Sequence, residues 1–561
     1  MSNERPSALA RVPAMVWIVA LQAVLFLPYL HMPITDGDGT LNSLRAQNIL
    51  RTGDWVTMVP FMNKPPAGIW PHAISYALFG VSDASARLWQ LVVAAGVLGL
   101  TYATAHLFLS HWVSLRAALL LLATPLFAYL CAVPQQDLLT LLAYGLALYG
   151  YLRLVRDGRW WGVYLFAVGV ALGTLTRALA GIALPVGTVL LFELWQWRAD
   201  PEGPRLLRSL RGPVDLVAHL VLGLALYCVL VAPWYLAAGQ AQGWDYVNLL
   251  LGTGNRRFLG QGEGVGARRL LYVALLFAGY LPFSVLLPGV VATAWRGCRA
   301  ALPDGSDRRW LLRFLTTWLV VALGLCFSIR WLNIRFVLPS LPPLVIVTAL
   351  YLEQTAHDER SRAARRWVVV SAVLGLTVAV PLFLGVGAYY ARRFPGDINA
   401  YWPIFAPALF ALITGCVCYA GLALYRRFTQ AVAVLAVLAA VGTLAGFREI
   451  NSRWDTVWPW RQLGEESRAA ARVADAVLWY RDSDPRSGAR FGHYARRQPI
   501  SVGSLPALRP WLRSRRVVVP ARQEELPALR ELEPDVRVLS QHLGWVVVAN
   551  FPAGAGGTQS R

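Results

Sequence analysis

Long apolar runs separated by short polar connectors fill the first 446 residues of the chain. A transmembrane α-helix needs roughly 20 mostly apolar residues, and thirteen runs come within a few residues of that length. They lie near residues 12–30, 89–109, 116–132, 138–155, 161–178, 180–197, 214–236, 270–294, 313–329, 336–352, 367–390, 401–424 and 428–446. The pattern predicts a polytopic α-helical membrane domain, residues 1–446, with about thirteen transmembrane helices.

The first apolar run, 12–30, follows a short basic tail. A cleaved signal peptide has a shorter apolar region that ends in small residues. This run ends instead in Pro28 and Tyr29, with His31 next. We therefore interpret it as a retained first helix rather than a signal peptide.

Basic residues are distributed unevenly between the two sets of connectors. The connectors on the side of the N-terminus carry most of the Arg residues between Arg116 and Arg427, whereas the opposite set is longer in total and poorer in basic residues. The positive-inside rule then predicts a cytoplasmic N-terminus. The polar loop 31–88 and the chain beyond the thirteenth helix would lie on the outer face.

The last segment, 447–561, is rich in Arg, Glu, Asp and Pro, and its apolar runs are too short to span a bilayer. Short β-branched runs at 516–520, 536–539 and 545–551 predict strands, and 523–532 predicts a helix between the first two. We expect a small α/β domain on the outer face.

Composition agrees with a membrane protein. The chain is 56% hydrophobic and only 15% charged, with a mean hydropathy of +0.47, whereas soluble proteins are about 25% charged. A net charge of +21 could indicate nucleic-acid binding. Arg residues in the short connectors account for that charge, so we expect no nucleic-acid partner. The six cysteines avoid the longest polar segments and predict no disulfide framework.

Charged residues near the membrane collect at the predicted outer ends of helices. They are Asp36, Asp38, Lys64, Asp137, Arg177, Arg256, Arg257, Arg330 and Arg335. A transporter would place polar groups near the midplane, on interrupted helices in matching halves, and we do not find that pattern. Carboxylates and cations at one water–lipid boundary suit a charged, lipid-anchored substrate.

Asp38 follows the first helix within Asp36-Gly37-Asp38-Gly39. This composition is typical of a solvated turn. It also fits a carboxylate that takes a proton from an acceptor hydroxyl, with glycine allowing the backbone to approach a ligand. A divalent metal on Asp36 and Asp38 would need a third acidic ligand, and none is nearby in the sequence. A metal site is the weaker interpretation, and no cofactor is implied.

Lys64 is the only lysine in the chain, and the other 51 basic residues are Arg. A bias against lysine explains why the other basic residues are Arg. It does not explain why Lys64 is retained, unless Lys64 is a chance remnant. Lysine carries a compact, rotatable ammonium that Arg does not reproduce. Pro65 and Pro66 restrict the backbone beside it. Between Asp38 and Lys64, residues 41–50 predict a short amphipathic helix on the membrane surface.

The order of these segments resembles the first outer loop of bacterial GT-C glycosyltransferases. Asp38, Gly53-Asp54-Trp55 and Lys64-Pro65-Pro66 are similar to the lipid A aminoarabinose transferases and the protein O-mannosyltransferases. Further similar segments are Gln135-Gln136-Asp137-Leu138-Leu139 at a second outer acidic position, Asn255-Arg256-Arg257-Phe258, and Arg335-Phe336 before a proline-rich helix start.

The resemblance implies a GT-C-like fold in a bacterial inner membrane. It implies transfer of a sugar from polyprenyl (undecaprenyl) phosphate to a hydroxyl of lipid A, another envelope glycolipid or a protein, at the periplasmic face and with inversion. Asp38 would be the base, with Lys64, Arg257 and Arg335 contacting phosphate. Asp137 would orient the acceptor or restrain a cation. Arg177 and Arg256 are further candidates for substrate binding, and headgroup anchoring is the alternative for each Arg.

The chain also departs from the family. Gly39 and Asn63 stand where the family often has Glu, and Arg177-Ala178 stands where Lys-Gly is common. A His expected within 260–266 is missing. Without acidic groups to contact an amino sugar, aminoarabinose is doubtful as the donor sugar. A lipid or solute transporter without covalent chemistry and a non-catalytic assembly partner are the alternative functions.

Overall fold

A computed structural model defines the fold over residues 13–34, 37–57, 64–200, 213–253, 306–328, 333–357, 459–479 and 485–552, with most of 272–299 and a few isolated positions. The helices predicted at 367–390, 401–424 and 428–446 lie outside the described residues, apart from such isolated positions. The other ten predicted helices fall wholly or partly within them.

Helices carry most of the chain from residue 14 to residue 357, because apolar segments in lipid must satisfy their backbone hydrogen bonds internally. In chain order they are α1 (Ala14–Phe26), α2 (Gly37–Thr52), α3 (Trp70–Phe79), α4 (Asp83–His106), α5 (His111–Ala123), α6 (Pro125–Ala132), α7 (Asp137–Asp157), α8 (Trp161–Arg177), α9 (Leu179–Ala199), α10 (Pro213–Gln242), α11 (Trp244–Asn248), α12 (Leu287–Arg299), α13 (Ser306–Ser328) and α14 (Leu341–His357). Short 3-10 turns, Pro66–Gly68 and Ile334–Ser340, come just before α3 and α14.

Six apolar segments in the described part of the chain are long enough to cross a membrane. They are α4, α7, α9, α10, α13 and the segment formed by α14 with the turn before it. The shorter apolar helices α1 and α8 add to this set. The predicted fold class, a polytopic helical membrane protein, is confirmed.

The run predicted as one helix at 116–132 is two helices. The axes of α5 and α6 differ by 65°, and Thr124 between them is extended, with φ −71° and ψ 125°. Pro125 is the physical cause, because a proline disfavours the helical conformation of the residue before it.

Helices α7 and α8 pack closely through a glycine. A Cβ on Gly169 would lie 2.4 Å from the backbone nitrogen of Ala147 and 2.7 Å from the carbonyl oxygen of Ala143. Any larger side chain would force the two helices apart. The close approach brings Asp137, at the start of α7, near Arg177, at the end of α8.

A buried arginine ties the start of the first loop to two other parts of the membrane domain. Arg87 on α4 is 5% exposed, and its guanidinium donates to five carbonyl oxygens. Those oxygens belong to Leu30, Met32 and Pro33 after α1, Asp83 on α4, and Ala132 at the end of α6. A guanidinium suits this task because it presents five N–H donors in a fixed plane. The backbone before Asp38 and the backbone before Asp137 are thus held to one side chain.

The C-terminal part contains a five-stranded mixed sheet with the order β2-β1-β3-β5-β4. The strands are β1 (Ala476–Trp479), β2 (Pro499–Ser501), β3 (Val517–Arg522), β4 (Arg537–His542) and β5 (Trp545–Ala549). β1 pairs parallel with β2 and β3, whereas β5 pairs antiparallel with β3 and β4. The helices are α15 (Trp460–Glu466), α16 (Arg468–Val473), α17 (Pro485–Ala495), α18 (Arg509–Ser514) and α19 (Leu526–Leu532).

Apolar side chains are buried on both faces of this sheet. Alternating residues of β1, β3 and β5 pack against α15, α16 and α17 on one face and against α18 and α19 on the other. The strands predicted at 516–520, 536–539 and 545–551 and the helix within 523–532 are confirmed, so the chain has the expected α/β domain. The short strands β1 and β2 were not predicted.

We predict that Arg87→Lys destabilises the membrane domain. One ammonium has three donors and cannot serve five carbonyl oxygens, so buried acceptors lose their partners, at about 1–3 kcal/mol each. The thermal midpoint of the purified protein in detergent should fall by several degrees. The control is Arg51→Lys, because Arg51 is exposed and bonds Asn48 within α2 at 2.8 Å. Equal midpoints for the two variants would contradict this role of Arg87.

Candidate functional site

Five of the side chains predicted from sequence meet at one place, although they come from five separate segments. Asp38 lies in the first turn of α2, and Lys64 comes just before the turn that leads to α3. Asp137 begins α7, Arg177 ends α8, and Arg335 lies in the 3-10 turn before α14. Ion pairs connect all five.

Asp38 faces two cations. Its Oδ2 lies 3.8 Å from Nζ of Lys64 and 3.6 Å from Nη1 of Arg335. The side chain is 25% exposed, so a reactant can reach it. A carboxylate in the first turn of a helix is further stabilised by the partial positive charge of the helix N-terminus. This environment favours the ionised form, which a proton acceptor requires.

Arg335 connects the two carboxylates. The same Nη1 that faces Asp38 lies 3.7 Å from Oδ2 of Asp137, and it also donates to the side chain of Gln135. The backbone N–H and Nε of Arg335 donate to Oδ1 of Asn333, at 3.0 and 3.3 Å. These bonds fix the orientation of the guanidinium.

Asp137 is the most buried member of the group, with 7% of its side chain exposed. It forms an ion pair with Arg177 in addition to its contact with Arg335. A buried carboxylate between two guanidinium groups is well compensated. Its position makes it an anchor for cations rather than an open reactant.

Lys64 titrates in an unusual range. Burial lowers the pKa of its ammonium from 10.5 to about 8, and the nearby charge of Arg177 acts in the same direction. The carboxylates of Asp38 and Asp137 oppose both effects. Near pH 8 the side chain is therefore poised between its charged and neutral forms.

Two glycines let these segments approach each other. A Cβ on Gly68 would lie 2.6 Å from Cβ of Gln136, so the segment after Lys64 touches the residue before Asp137. A Cβ on Gly39 would lie 3.3 Å from the carbonyl oxygen of Pro134. Gly39 is buried, which gives a structural reason for the missing Glu at that position.

The turn at Ala178 concerns a second departure from the family, which commonly has Lys-Gly where this chain has Arg177-Ala178. Ala178 separates α8 from α9 and has φ +49°, in the left-handed region. With ψ −126° it lies outside the left-handed helical minimum, in a region that glycine adopts without strain and that costs other residues about 1–3 kcal/mol. The conformation at Ala178 is thus one that a glycine would adopt more easily, and Arg177 supplies the cation before it.

A largely apolar cavity, with about 590 Å³ of free space when the adjoining open solvent is included, lies beside the charged group. Asp137, Arg177 and Arg335 line one part of it. The remaining lining is mainly apolar and comes from Leu141, Leu184, Ala322, Leu325, Phe336 and Leu338, with Tyr144 and Cys326. A ligand with a charged head and an apolar tail matches this division.

Arg45 is a residue that sequence reasoning missed. It is buried on α2, with 2% exposed, and its Nη1 donates to Oδ1 of Asn42 at 3.3 Å. Burial lowers its pKa to about 10, and the charges of Tyr246 and Asp38 oppose that change. Its spacing from Asp38 could have indicated it. Arg45 is seven residues after Asp38, and residues seven apart lie on one face of a helix.

Four other residues predicted from the sequence lie outside the described residues. They are Arg256, Arg257, Arg330 and Asp36. The helix predicted at 41–50 is present as α2, but it packs between α3 and α17 instead of lying free on the membrane surface. Gly53 follows α2 with φ +72°, and its backbone N–H donates to the carbonyl oxygen of Ile49. Within the described part of the chain, no three His, Cys, Asp or Glu side chains form a metal-binding group.

The amino-acid sequence is similar to a known protein family and to known enzymes. Residues 63–235 match the family described as dolichyl-phosphate-mannose-protein mannosyltransferase. An undecaprenyl phosphate-alpha-4-amino-4-deoxy-L-arabinose arabinosyl transferase of Yersinia pestis (strain Pestoides F) is 27% identical over 401 residues, which cover 68% of this chain and 67% of that protein. The enzyme of the same name from Serratia proteamaculans (strain 568) is 26% identical over 391 residues, 66% of this chain and 65% of that protein.

A solved structure shares the fold over nearly the whole chain. The crystal structure of ArnT from Cupriavidus metallidurans bound to undecaprenyl phosphate superimposes with a TM-score of 0.77 and 18% identity, covering 97% of this chain and 99% of that chain. Its apo form gives a TM-score of 0.73 with the same coverage. The predicted GT-C-like fold is thereby confirmed.

We predict that Lys64 reacts with a small acylating reagent with a pH midpoint near 8. At that pH about half of the amine is neutral, whereas the neutral fraction of an ordinary lysine would be over 100-fold smaller. Because Lys64 is the only lysine, mass spectrometry of the peptide that contains it reports the reaction directly.

The Asp38→Asn variant provides a control for the acylation experiment. Loss of the carboxylate that raises the pKa of Lys64 should move the midpoint further down. A midpoint near 10 in the unmodified protein would contradict the environment described for Lys64.

Proposed function

The chain is a membrane glycosyltransferase of the GT-C fold, similar to the aminoarabinose transferases, and we propose that Asp38 is the base with which it transfers a sugar from polyprenyl phosphate to an acceptor hydroxyl. One observation carries this proposal. Asp38 is a quarter exposed and lies next to Lys64 and Arg335, and Arg335 also lines a largely apolar cavity. A base, a phosphate site and a site for a lipid tail are thus adjacent.

The chemistry requires one displacement at the anomeric carbon. The acceptor hydroxyl gives its proton to the carboxylate of Asp38, and its oxygen forms the new bond to the sugar. The bond from the anomeric carbon to the phosphate oxygen breaks, and its electron pair stays with the phosphate. A single displacement of this kind inverts the anomeric centre.

Cations stabilise the departing phosphate. A sugar phosphodiester carries one negative charge, and the released polyprenyl phosphate carries about two near neutral pH. Groups aimed at charge that develops in the transition state lower the barrier. We assign this role to Lys64 and Arg335, with Arg177 at the same cavity, and extend it to Arg256 and Arg257, the latter on the strength of the family resemblance.

We assign Asp137 a restraining role. Its two ion pairs, to Arg177 and Arg335, hold both guanidinium groups at the cavity wall. Arginine can bind phosphate with two parallel hydrogen bonds only when its plane is correctly oriented. Of the two roles considered for Asp137, restraint of cations therefore fits its contacts better than orientation of the acceptor.

The substrates follow from the relatives and from the cavity. The carrier in the name of the Yersinia pestis and Serratia proteamaculans enzymes is undecaprenyl phosphate, and we propose the same carrier here, with its tail in the apolar cavity. Lipid A, another envelope glycolipid or a protein is the acceptor. Gly39 and Asn63 replace acidic groups that the resembled family often carries, and this counts against aminoarabinose as the sugar without naming another.

The protein is a multi-pass protein of the bacterial inner membrane. We propose that its N-terminus is cytoplasmic and that the loop 31–88 is periplasmic, from the distribution of Arg residues. In this orientation residues 1–446 form the catalytic membrane domain. Residues 447–561 then form a periplasmic domain above the site.

We predict that Asp38→Asn abolishes transfer, with a loss of at least about 100-fold in kcat, because the amide cannot take the acceptor proton. The measurement is mass spectrometry of the acceptor after incubation with polyprenyl-phosphate-linked sugars in proteoliposomes. Asp54→Asn is the matched control in the same loop. Its Oδ1 accepts the backbone N–H groups of Val56 and Thr57, at 3.0 and 2.8 Å, which an amide oxygen also does. Its Oδ2 accepts the hydroxyl of Thr57, and in the variant that hydroxyl can accept from the amide nitrogen instead.

Full activity of folded Asp38→Asn protein would overturn the assignment of the base. Movement of lipid across the bilayer without any modified acceptor would instead identify a transporter. A thermal midpoint of Asp38→Asn equal to that of the unmodified protein would show that the variant is folded.

We also predict that binding of the donor weakens above pH 8 and that Lys64→Arg removes this dependence. The phosphate binds the protonated ammonium, whose pKa is about 8 before binding, so KM for the donor should rise up to about ten-fold per pH unit above that value. An arginine stays charged throughout. A KM that is independent of pH between 7 and 9 in the unmodified protein would exclude Lys64 as a phosphate contact.

A further inference from the structure

The C-terminal domain touches the helix that carries Asp38. Helix α17 packs along α2, and polar side chains contribute to the contact. Nε2 of Gln47 on α2 lies 2.9 Å from Nδ1 of His493 and 3.4 Å from the carbonyl oxygen of the same residue. His493 is 4% exposed, so water does not compete for these bonds.

The same histidine reaches the membrane domain. Nε2 of His493 lies 3.4 Å from Oδ1 of Asp83, at the start of α4. Because Nδ1 accepts the amide proton of Gln47, the ring proton is on Nε2, which therefore donates to Asp83. His493 thus connects α2 to α4 through its two ring nitrogens.

Tyr494 forms a second connection beside the first. Its hydroxyl donates to Oδ1 of Asp83 at 3.4 Å and accepts the backbone N–H of Ile34 at 3.0 Å. Ile34 is 1% exposed and comes four residues before Asp38. Tyr494 therefore fixes the backbone where the chain enters α2, and Arg87 holds the preceding residues from the other side.

We propose that His493 and Tyr494 are positioning residues that hold α2, and with it Asp38, at the distance from the membrane domain that transfer requires. The proposal rests on the proposed role of Asp38 as the base. In this proposal the two residues act through α2 and Ile34, and no direct contact with a substrate is assigned to them.

The ion pairs of Asp38 do not supply this positioning by themselves. Both are longer than a hydrogen bond, at 3.6 and 3.8 Å, and the carboxylate is a quarter exposed. Pairs of this kind contribute little to a fixed geometry. Two shorter bonds from α17, 2.9 Å between Gln47 and His493 and 3.0 Å between Ile34 and Tyr494, constrain α2 and the backbone before it more strongly. An error of about 1 Å in a reacting group can cost about 100-fold in rate.

Tyr494→Phe in the full-length protein is the main test. It removes one hydroxyl and keeps the ring, so the N–H of Ile34 and the carboxylate of Asp83 lose a partner. We expect kcat to fall about ten-fold or more, with an unchanged KM for the donor, because the phosphate contacts are intact. His493→Gln should retain more activity than His493→Ala, since an amide can replace both ring bonds.

The matched control is Tyr280→Phe. Tyr280 is fully buried and its hydroxyl donates to Thr348 at 2.7 Å, far along the chain from α2. A loss of stability alone would affect Tyr280→Phe and Tyr494→Phe alike. Equal values of kcat for the two variants would overturn the proposal.

Hydrogen–deuterium exchange provides a measurement that does not depend on activity. Peptides that cover 34–52 should exchange about ten-fold faster in Tyr494→Phe than in the unmodified protein or in Tyr280→Phe. Unchanged exchange in those peptides would overturn the positioning role. If the unmodified protein transfers no sugar, the proposed function fails, and the exchange data still decide whether α17 holds α2.

Discussion

The guanidinium of Arg87 is the constraint on which the geometry of the site depends. It satisfies five carbonyl oxygens, and these belong to the backbone just before α2, to α4 and to the end of α6. Both carboxylates of the site lie a few residues beyond the anchored segments, Asp38 after Pro33 and Asp137 after Ala132. Loops lack the internal hydrogen bonds of helices, so their position must come from other groups. The buried side chain of Arg87 helps to fix both backbone segments, the one before Asp38 and the one before Asp137.

The charges at the site make a pattern that suits a departing phosphate. Four described cations, Lys64, Arg45, Arg177 and Arg335, surround two carboxylates, Asp38 and Asp137, which leaves two positive charges in excess. An excess of this size matches the charge of the released polyprenyl phosphate better than that of the intact donor. A site that complements the product-like charge binds the transition state more tightly than the substrate, which is how binding becomes catalysis.

The sequence predicted those parts of the structure that depend on local patterns. Apolar runs located the helices, β-branched runs located three strands, and the order of Asp38, Lys64, Asp137, Arg177 and Arg335 indicated residues that the structure brings together. What it could not predict depends on contacts between distant segments. The burial of Gly39 against Pro134 and the bond from Tyr494 to Ile34, 460 residues away, have no local signal. Arg45 was missed for a different reason, because α2 was expected to lie on the membrane surface.

The cavity and the charged group share Asp137, Arg177 and Arg335, so a lipid tail in the cavity, as proposed, would lie next to the charged residues. A tail in the apolar part brings its phosphate to the two guanidinium groups, because moving that charge further into an apolar region would be costly. Arg335 also faces Asp38 on the other side. The bond between sugar and phosphate would then lie between the cations and the base. In such an arrangement, how far the tail enters the cavity determines where the bond between sugar and phosphate lies relative to Asp38. A soluble sugar phosphate has no tail, so it would not be positioned in this way even if it reached the same cations.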